Sequence, residues 1–249
     1  MIIIKNNKEI DLMRSAGKIV AETLLLVEEK VRPGITTAEI DRIAEEFITK
    51  HGAKPSFKGL YGFPASLCIS VNEQVVHGIP GGYVLKDGDI ISVDCGAHFN
   101  GFHGDAARTF GVGNINKEAE RLINVTRESF FKGIEYAKVG NRLTDISHGI
   151  QSYVEAEGFS VVRDFVGHGI GRVVHEDPEV PNYGQPGRGP KLVEGMALAV
   201  EPMVNVGSYK VKTLKDNWTV VTSDGSLSAH YENTIVILPD GPEILTLIK

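Results

Sequence analysis

At 249 residues the chain is long enough for one large domain or two modest ones, and 42% hydrophobic with 23% charged residues marks it as globular rather than disordered. Its 26 Lys plus Arg against 32 Asp plus Glu, a net charge of -6, leave no basic footprint for nucleic acid or an anionic membrane surface. No uncharged apolar run approaches a bilayer span, and Met1-Ile2-Ile3-Ile4 meets Lys5 and Lys8 too soon for a signal-peptide core, so the expected compartment is the cytoplasm, with Cys68 and Cys95 as reduced thiols.

From Lys8 to about Lys30, Ile10, Met13, Gly17, Val20, Leu24 and Val27 recur with a helical period, and Pro33-Gly34 ends the run. Thr36 or Thr37 can cap a second helix to about Lys50, with Ile40, Ile43, Ala44 and Phe47 as its stripe and Gly52 beyond its end. Gly59 to Pro64 reads as loop, Leu67 to Val71 as strand and Gly78 to Gly82 as turn.

Ile90 to Phe99 and Phe102 to Phe110 are strand-like runs joined by Asn100-Gly101, a dipeptide suited to a two-residue type I′ turn. That turn sets Phe99 opposite Phe102, Gly96 opposite Asp105 and Asp94 opposite Ala107. The two carboxylates become diagonal neighbours on one face. Helical pattern returns over Lys117 to about Ala137 and Leu143 to about Glu157, followed by strand-like runs around Val161, Leu198, Val220 and Ile235.

The order helix, helix, strands occurs twice, and a repeat underlies it. Gly34 to Ile40 aligns with Gly140 to Ile146, and Gly52 with Gly158. Leu85-x-x-Gly88 followed by Asp94 aligns with Leu192-x-x-Gly195 followed by Glu201. An acid therefore recurs at the equivalent place, which favours two related halves, about 1–115 and 116–249, packed around a pseudo-twofold axis in a single domain over 1–249.

Two carboxylates side by side among Ile90, Ile91, Val93 and Phe110 repel and are costly to desolvate unless a cation lies between them. Either Asp alone would more often be a solvated strand end or a turn cap. The repeat adds Glu201, in the apolar run MALAVEPMV, and Glu232 opens ENTIVIL. His168, in VGHGIGR, has flanking glycines that leave the imidazole accessible and let a ligand approach the backbone. Oxygen donors with one imidazole suit Mn, Fe, Co or Zn. Four carboxylates exceed the need of one dication, so the simplest reading is two metals roughly 3.5–4 Å apart, able to make hydroxide and polarise a carbonyl for amide or ester hydrolysis. His77 and His175 could hydrogen-bond an oxyanion or leaving nitrogen there. His51, His98, His103, His148 and His230 gain no such support, although His98 and His103 face one another in the hairpin.

NEQVVHGIP, DIISVDCGAHFNGFHGDAARTF, VGHGIGRVVHEDP, GMALAVEPM and YENTIVIL together resemble the type I methionine aminopeptidases of the creatinase and aminopeptidase family. The resemblance implies an α+β pita-bread fold: a curved antiparallel sheet, two pseudo-twofold-related α/β halves and helices on the outer face. It implies Asp94, Asp105, His168, Glu201 and Glu232 as ligands to two divalent ions (Co, Mn, Fe or Zn), with Asp105 and Glu232 bridging and Glu201 also the general base. His175 would stabilise the tetrahedral intermediate and His77 would contact the scissile amide or the second substrate residue. Phe63, Cys68 and Trp218, with Tyr61 nearby, match the methionine pocket, and Val174 stands where some relatives carry an aromatic. The implied activity removes N-terminal methionine ahead of a small second residue, by attack of a metal-bridging water or hydroxide on the scissile amide. Peptides and nascent chains are the implied substrates, and the ribosome is a candidate partner of a monomeric, bacterial-type enzyme.

Two other readings stay open. One is an X-Pro peptidase of the same fold, whose members usually carry a separate N-terminal domain. The other is a non-catalytic binding protein, which would be expected to lose ligands, whereas all five positions are filled here.

Overall fold

The computed structural model describes residues 1–248. Two helix pairs lie against antiparallel sheets: α1 (Asn7–Lys30) with α2 (Thr37–Lys50), and α3 (Lys117–Ile134) with α4 (Leu143–Ala156). Capping boxes start α1 and α2, where the Asn6 and Thr36 side chains accept from the Glu9 and Glu39 N–H groups and those glutamates accept in return. The periodic residues Ile10, Met13, Gly17, Val20, Leu24 and Val27 are all buried. Helix α1 crosses close over the hairpin because two glycines meet there: a Cβ on Gly104 would lie 2.9 Å from the Gly17 Cα.

The hairpin has the register expected from its turn. Asp94 pairs with Ala107, Gly96 with Asp105 and Phe99 with Phe102, and Asn100 and Gly101 both take positive φ, 50° and 83°. It belongs to a four-stranded sheet with Leu67–Val71 and Lys54–Pro55. The second half builds a five-stranded sheet in which Asn233–Leu238, Ala197–Val200, Gly167–Gly169 and Glu176–Val180 lie in spatial order after Gly241–Ile244.

The two halves repeat one another in detail. Gly34 and Gly140 share φ near 93° and 94°, and their N–H groups donate to the Leu85 and Leu192 carbonyls. Isolated bridges pair Thr36 with Val84 and Arg142 with Lys191. Each half has its own core, Val20, Leu24, Ile40 and Ile91 in the first, Leu122, Ile146, Leu198 and Ile235 in the second.

A seam of reciprocal hydrogen bonds joins the halves. Asp105 N–H donates to Thr234 Oγ1 (3.0 Å), which donates to the Asp105 carbonyl (2.9 Å). The Glu232 N–H donates to the Ala107 carbonyl (3.0 Å), and Ala107 returns a bond of 3.3 Å. Arg108 locks the seam, donating to the Glu232 carbonyl (2.5 Å) and to Asn233 Oδ1 (2.7 Å) with its guanidinium over Tyr231. Main-chain hydrogen bonds across the seam thus fix the backbone at Asp105 and Glu232.

The anticipated strands near Val161, Leu198, Val220 and Ile235 are present. Short strands escaped the pattern: Gln74–Val76, Gly167–Gly169, Glu176–Val180, Met203–Asn205, Val211–Thr213, Ser228–His230 and Gly241–Ile244. Most span three residues, too few for alternation, and others carry Gly or Pro where strand propensity is low. Within Gly59–Pro64, expected as loop, Leu60–Gly62 forms a 3-10 turn.

The N-terminal strand-like segment is tied to the second half by a buried ion pair. Lys5 Nζ lies 2.5 Å from Glu176 Oε2, with the two side chains 2% and 3% exposed, and Glu176 Oε1 accepts from the Arg172 N–H (2.8 Å). Lys5→Met should lower unfolding stability by about 3–5 kcal/mol, because it leaves a buried carboxylate without its charge partner. Urea denaturation checks this: the double variant Lys5→Met/Glu176→Gln should recover part of the loss, and an unchanged midpoint for Lys5→Met contradicts it.

Candidate metal centre

Asp94 and Asp105 project from the two strands of the hairpin, His168 from the short strand Gly167–Gly169, Glu201 from the end of Ala197–Val200, and Glu232 from the seam. His168 Nε2 lies 3.8 Å from Asp105 Oδ2 and 3.7 Å from Glu201 Oε1. The His168 Nδ1 sits 2.9 Å from the Gly169 carbonyl, which can only accept, so Nδ1 carries the proton and the Nε2 lone pair faces the carboxylates. Asp105, His168 and Glu232 offer donor atoms that all lie within 4.8 Å of one another.

The glycines beside His168 serve a different purpose from the one expected. A Cβ on Gly167 would overlap the Ala199 carbonyl oxygen, and one on Gly169 the Asp177 carbonyl oxygen. They let a strand fit between two neighbours, rather than opening the backbone to a ligand.

His230 is the residue sequence reasoning missed. Its Nε2 lies 3.8 Å from Glu201 Oε2 and 3.9 Å from Glu232 Oε2, and the residue is 2% exposed. A signal existed: in extended chain, residues two apart share a face, so His230 faces where Glu232 faces. The other unsupported histidines lie outside the cluster. His51 Nδ1 contacts the Phe47 carbonyl, His98 stacks on His103 at 4.4 Å, and His148 lies beside Ser152.

Burial raises the carboxyl pKa of Asp94 to about 7 and pushes those of Asp105, Glu201 and Glu232 well up, and the charges of neighbouring acids add to the rise at the last three. Burial lowers His168 and His77 to about 4 and His230 to about 3. The buried oxygens Asp94 Oδ1, Asp105 Oδ1 and Glu232 Oε1 and the nitrogen His230 Nε2 have no hydrogen-bond partner. Orphaned acceptors, mutual repulsion and neutral imidazoles are the condition that divalent ions relieve, so the donor set fits a metal.

The cluster floors a cavity of about 570 Å³ whose lining includes His77, His175, Tyr61, Phe63, Cys68 and Trp218. The His175 ring meets His168 edge-on at 4.5 Å and stacks with Tyr61 at 5.9 Å. Phe63 packs edge-on against Trp218 at 5.1 Å, and Val174, Cys68 and Phe57 complete that apolar wall. Trp218 is therefore cavity lining and core at once. His77 takes φ 59° against the Phe165 ring, a backbone state costing about 1–3 kcal/mol that the surroundings impose.

Residues 11–239 match the profile of metallopeptidase family M24. The chain belongs to that family. A methionine aminopeptidase of Clostridium perfringens is 79% identical over 249 residues, with 100% of both chains covered. A crystal structure of methionine aminopeptidase from Rickettsia prowazekii matches with TM-score 0.98 and 46% identity, covering 99% of this chain and 100% of that one. Another from Thermotoga maritima matches with TM-score 0.98 and 49% identity, covering 100% of both. The M24 chain has the pita-bread fold and, as a metallopeptidase, binds divalent metal.

The raised carboxyl pKa values make a prediction for the metal-free M24 chain. A carboxyl whose folded pKa is raised stabilises the fold below its unfolded pKa, about 4, and loses that contribution as pH rises through the folded value, about 7 for Asp94. The lowered histidines act oppositely, but only below about pH 6.5, where the unfolded chain takes up protons. Above that, stability of metal-free protein should fall with pH by up to about 1.4 kcal/mol per unit per titrating group. Saturating divalent metal should flatten the fall. Thermal unfolding at pH 7, 8 and 9, with and without metal, checks this; equal slopes in the two series contradict it.

Proposed function

We propose that this chain removes N-terminal methionine from peptides and nascent chains, with a small second residue preferred, using two divalent ions held by Asp94, Asp105, His168, Glu201 and Glu232. The observation that carries the reading is the cavity, with converging carboxylates and His168 on its floor and Phe63, Cys68 and Trp218 as an apolar, sulfur-tolerant wall. Family membership and full-length identity to methionine aminopeptidases support it.

Divalent ions bound there supply Lewis-acid polarisation of the scissile carbonyl and lower the pKa of the attacking water. With the negative charge of the cluster neutralised by bound dications, Glu201 would be ionised and placed to take a proton from the attacking water and pass it toward the leaving nitrogen. His175, whose pKa partial desolvation lowers, has an N–H to donate to the developing oxyanion. His77, in the same cavity lining and packed edge-on against Phe165, contacts the scissile amide or the second residue. The Phe63, Cys68 and Trp218 wall, with Tyr61 at the rim, receives the thioether.

The remaining parts of the reading are a single catalytic domain over 1–249 with halves about 1–115 and 116–249, a monomer, a cytoplasmic setting and encounter with nascent chains at the ribosome. The repeated hydrogen bonds and the shared seam support the first. Both cysteines are buried and unpaired, which suits a reducing compartment. No helix among the described residues is long and apolar enough to cross a membrane.

A peptide panel tests the activity. Release of methionine from Met-Ala-Ser, with X-Pro peptides left intact, is the expected result. Cleavage of X-Pro peptides with Met-Ala-Ser untouched would overturn it in favour of a prolyl peptidase.

A further inference from the structure

His230 is the one nitrogen at this centre to which the five-ligand reading gives no task. It is 2% exposed, its Nε2 has no hydrogen-bond partner, and that atom is aimed at two carboxylate oxygens, Glu201 Oε2 and Glu232 Oε2. The separations, 3.8 and 3.9 Å, are too long for hydrogen bonds. They are natural for donors sharing an ion: with metal–ligand bonds of about 2.0–2.2 Å, two ligands of one metal lie up to about 4.2 Å apart.

The arrangement is also symmetrical about Glu201. Its Oε1 faces His168 Nε2 at 3.7 Å and its Oε2 faces His230 Nε2 at 3.8 Å. Two donor trios result, Asp105 with His168 and Glu232, and Glu201 with His230 and Glu232, each compact to within 4.8 Å and sharing Glu232. We propose that His230 is a sixth ligand, so that the two ions of the centre each carry one imidazole. This rests on the metallopeptidase reading above and adds a nitrogen donor to it.

A second imidazole changes what the centre prefers. Nitrogen donors favour later, softer divalent ions over the all-oxygen coordination that suits Mg or Ca. The ion contacting His230 should therefore be selected toward Co, Fe or Zn, and the two sites should be closer in affinity than a set with a single imidazole allows.

Cobalt(II) loading of the metal-free protein decides this without reference to turnover. A histidine bound through Nε2 keeps an exchangeable Nδ1–H whose proton NMR signal is strongly shifted by the paramagnetic ion, so the signals count the bound imidazoles. Two such signals are expected at two equivalents of cobalt, one of them lost in His230→Gln, with affinity for one equivalent falling at least about tenfold. Cobalt uptake with a single shifted signal overturns the proposal and leaves the five-ligand reading standing, as do two signals that both survive His230→Gln. Absence of cobalt uptake overturns both. The count on the unaltered protein stands even if the variant fails to fold.

Discussion

Asp105→Ala is expected to lose metal and activity together. Asp105 is 3% exposed, its backbone is fixed by two bonds to Thr234, and its carboxylate faces His168 Nε2 on one side and Asp94 on the other. The residue opposite it in the hairpin, Gly96, has no side chain to offer in its place. Metal bound per chain should fall below one equivalent and methionine release should drop to background. Loss of folding is not the cause: removing one of several repelling carboxylates relieves the metal-free protein. Asp105→Ala should unfold at or above the temperature of the metal-free parent at pH 8. A variant that retains both metal equivalents, or that unfolds well below the metal-free parent, contradicts the role assigned to Asp105.

His175→Ala should behave differently. His175 stands at the cavity edge, its ring 4.5 Å from His168 and against Tyr61, within reach of a substrate carbonyl held over the carboxylates. Partial desolvation lowers its pKa, which favours the neutral imidazole, the form whose N–H suits a developing oxyanion. Losing such a donor reduces kcat by about 10²–10³-fold. Metal content should stay at the parent value and KM should change little, since the donor acts on charge that develops only during reaction. Equal metal loss in His175→Ala and Asp105→Ala would make His175 a ligand instead.

Much of this centre was legible in the sequence because its strongest element is local. The Asn100-Gly101 turn fixes the register that places Asp94 and Asp105 on one face, and such two-residue turns leave little freedom. The repeat carried the argument to Glu201, since Gly88 and Gly195 close equivalent turns ahead of the two acids. What stayed hidden depends on pairing across the chain. The strand Gly167–Gly169 exists only because its glycines let it slip between Glu176–Val180 and Ala197–Val200. His230 looked idle because its partners, Glu201 and Glu232, converge on it only after the second half closes. The Lys5–Glu176 pair joins residues far apart in sequence, beyond any local pattern.

Under the proposed function, buried carboxylates contributed by both halves tolerate one another because divalent ions neutralise them, and the same ions make the cavity a peptidase site. The most direct measurement removes all metal with a chelator, then titrates single divalent ions back while following both bound metal and methionine release from Met-Ala-Ser. The stripped protein should release no methionine, and release should recover in step with metal bound at the cluster. Full activity in the stripped protein, or tight uptake of every ion with no release at any of them, would contradict the proposed function.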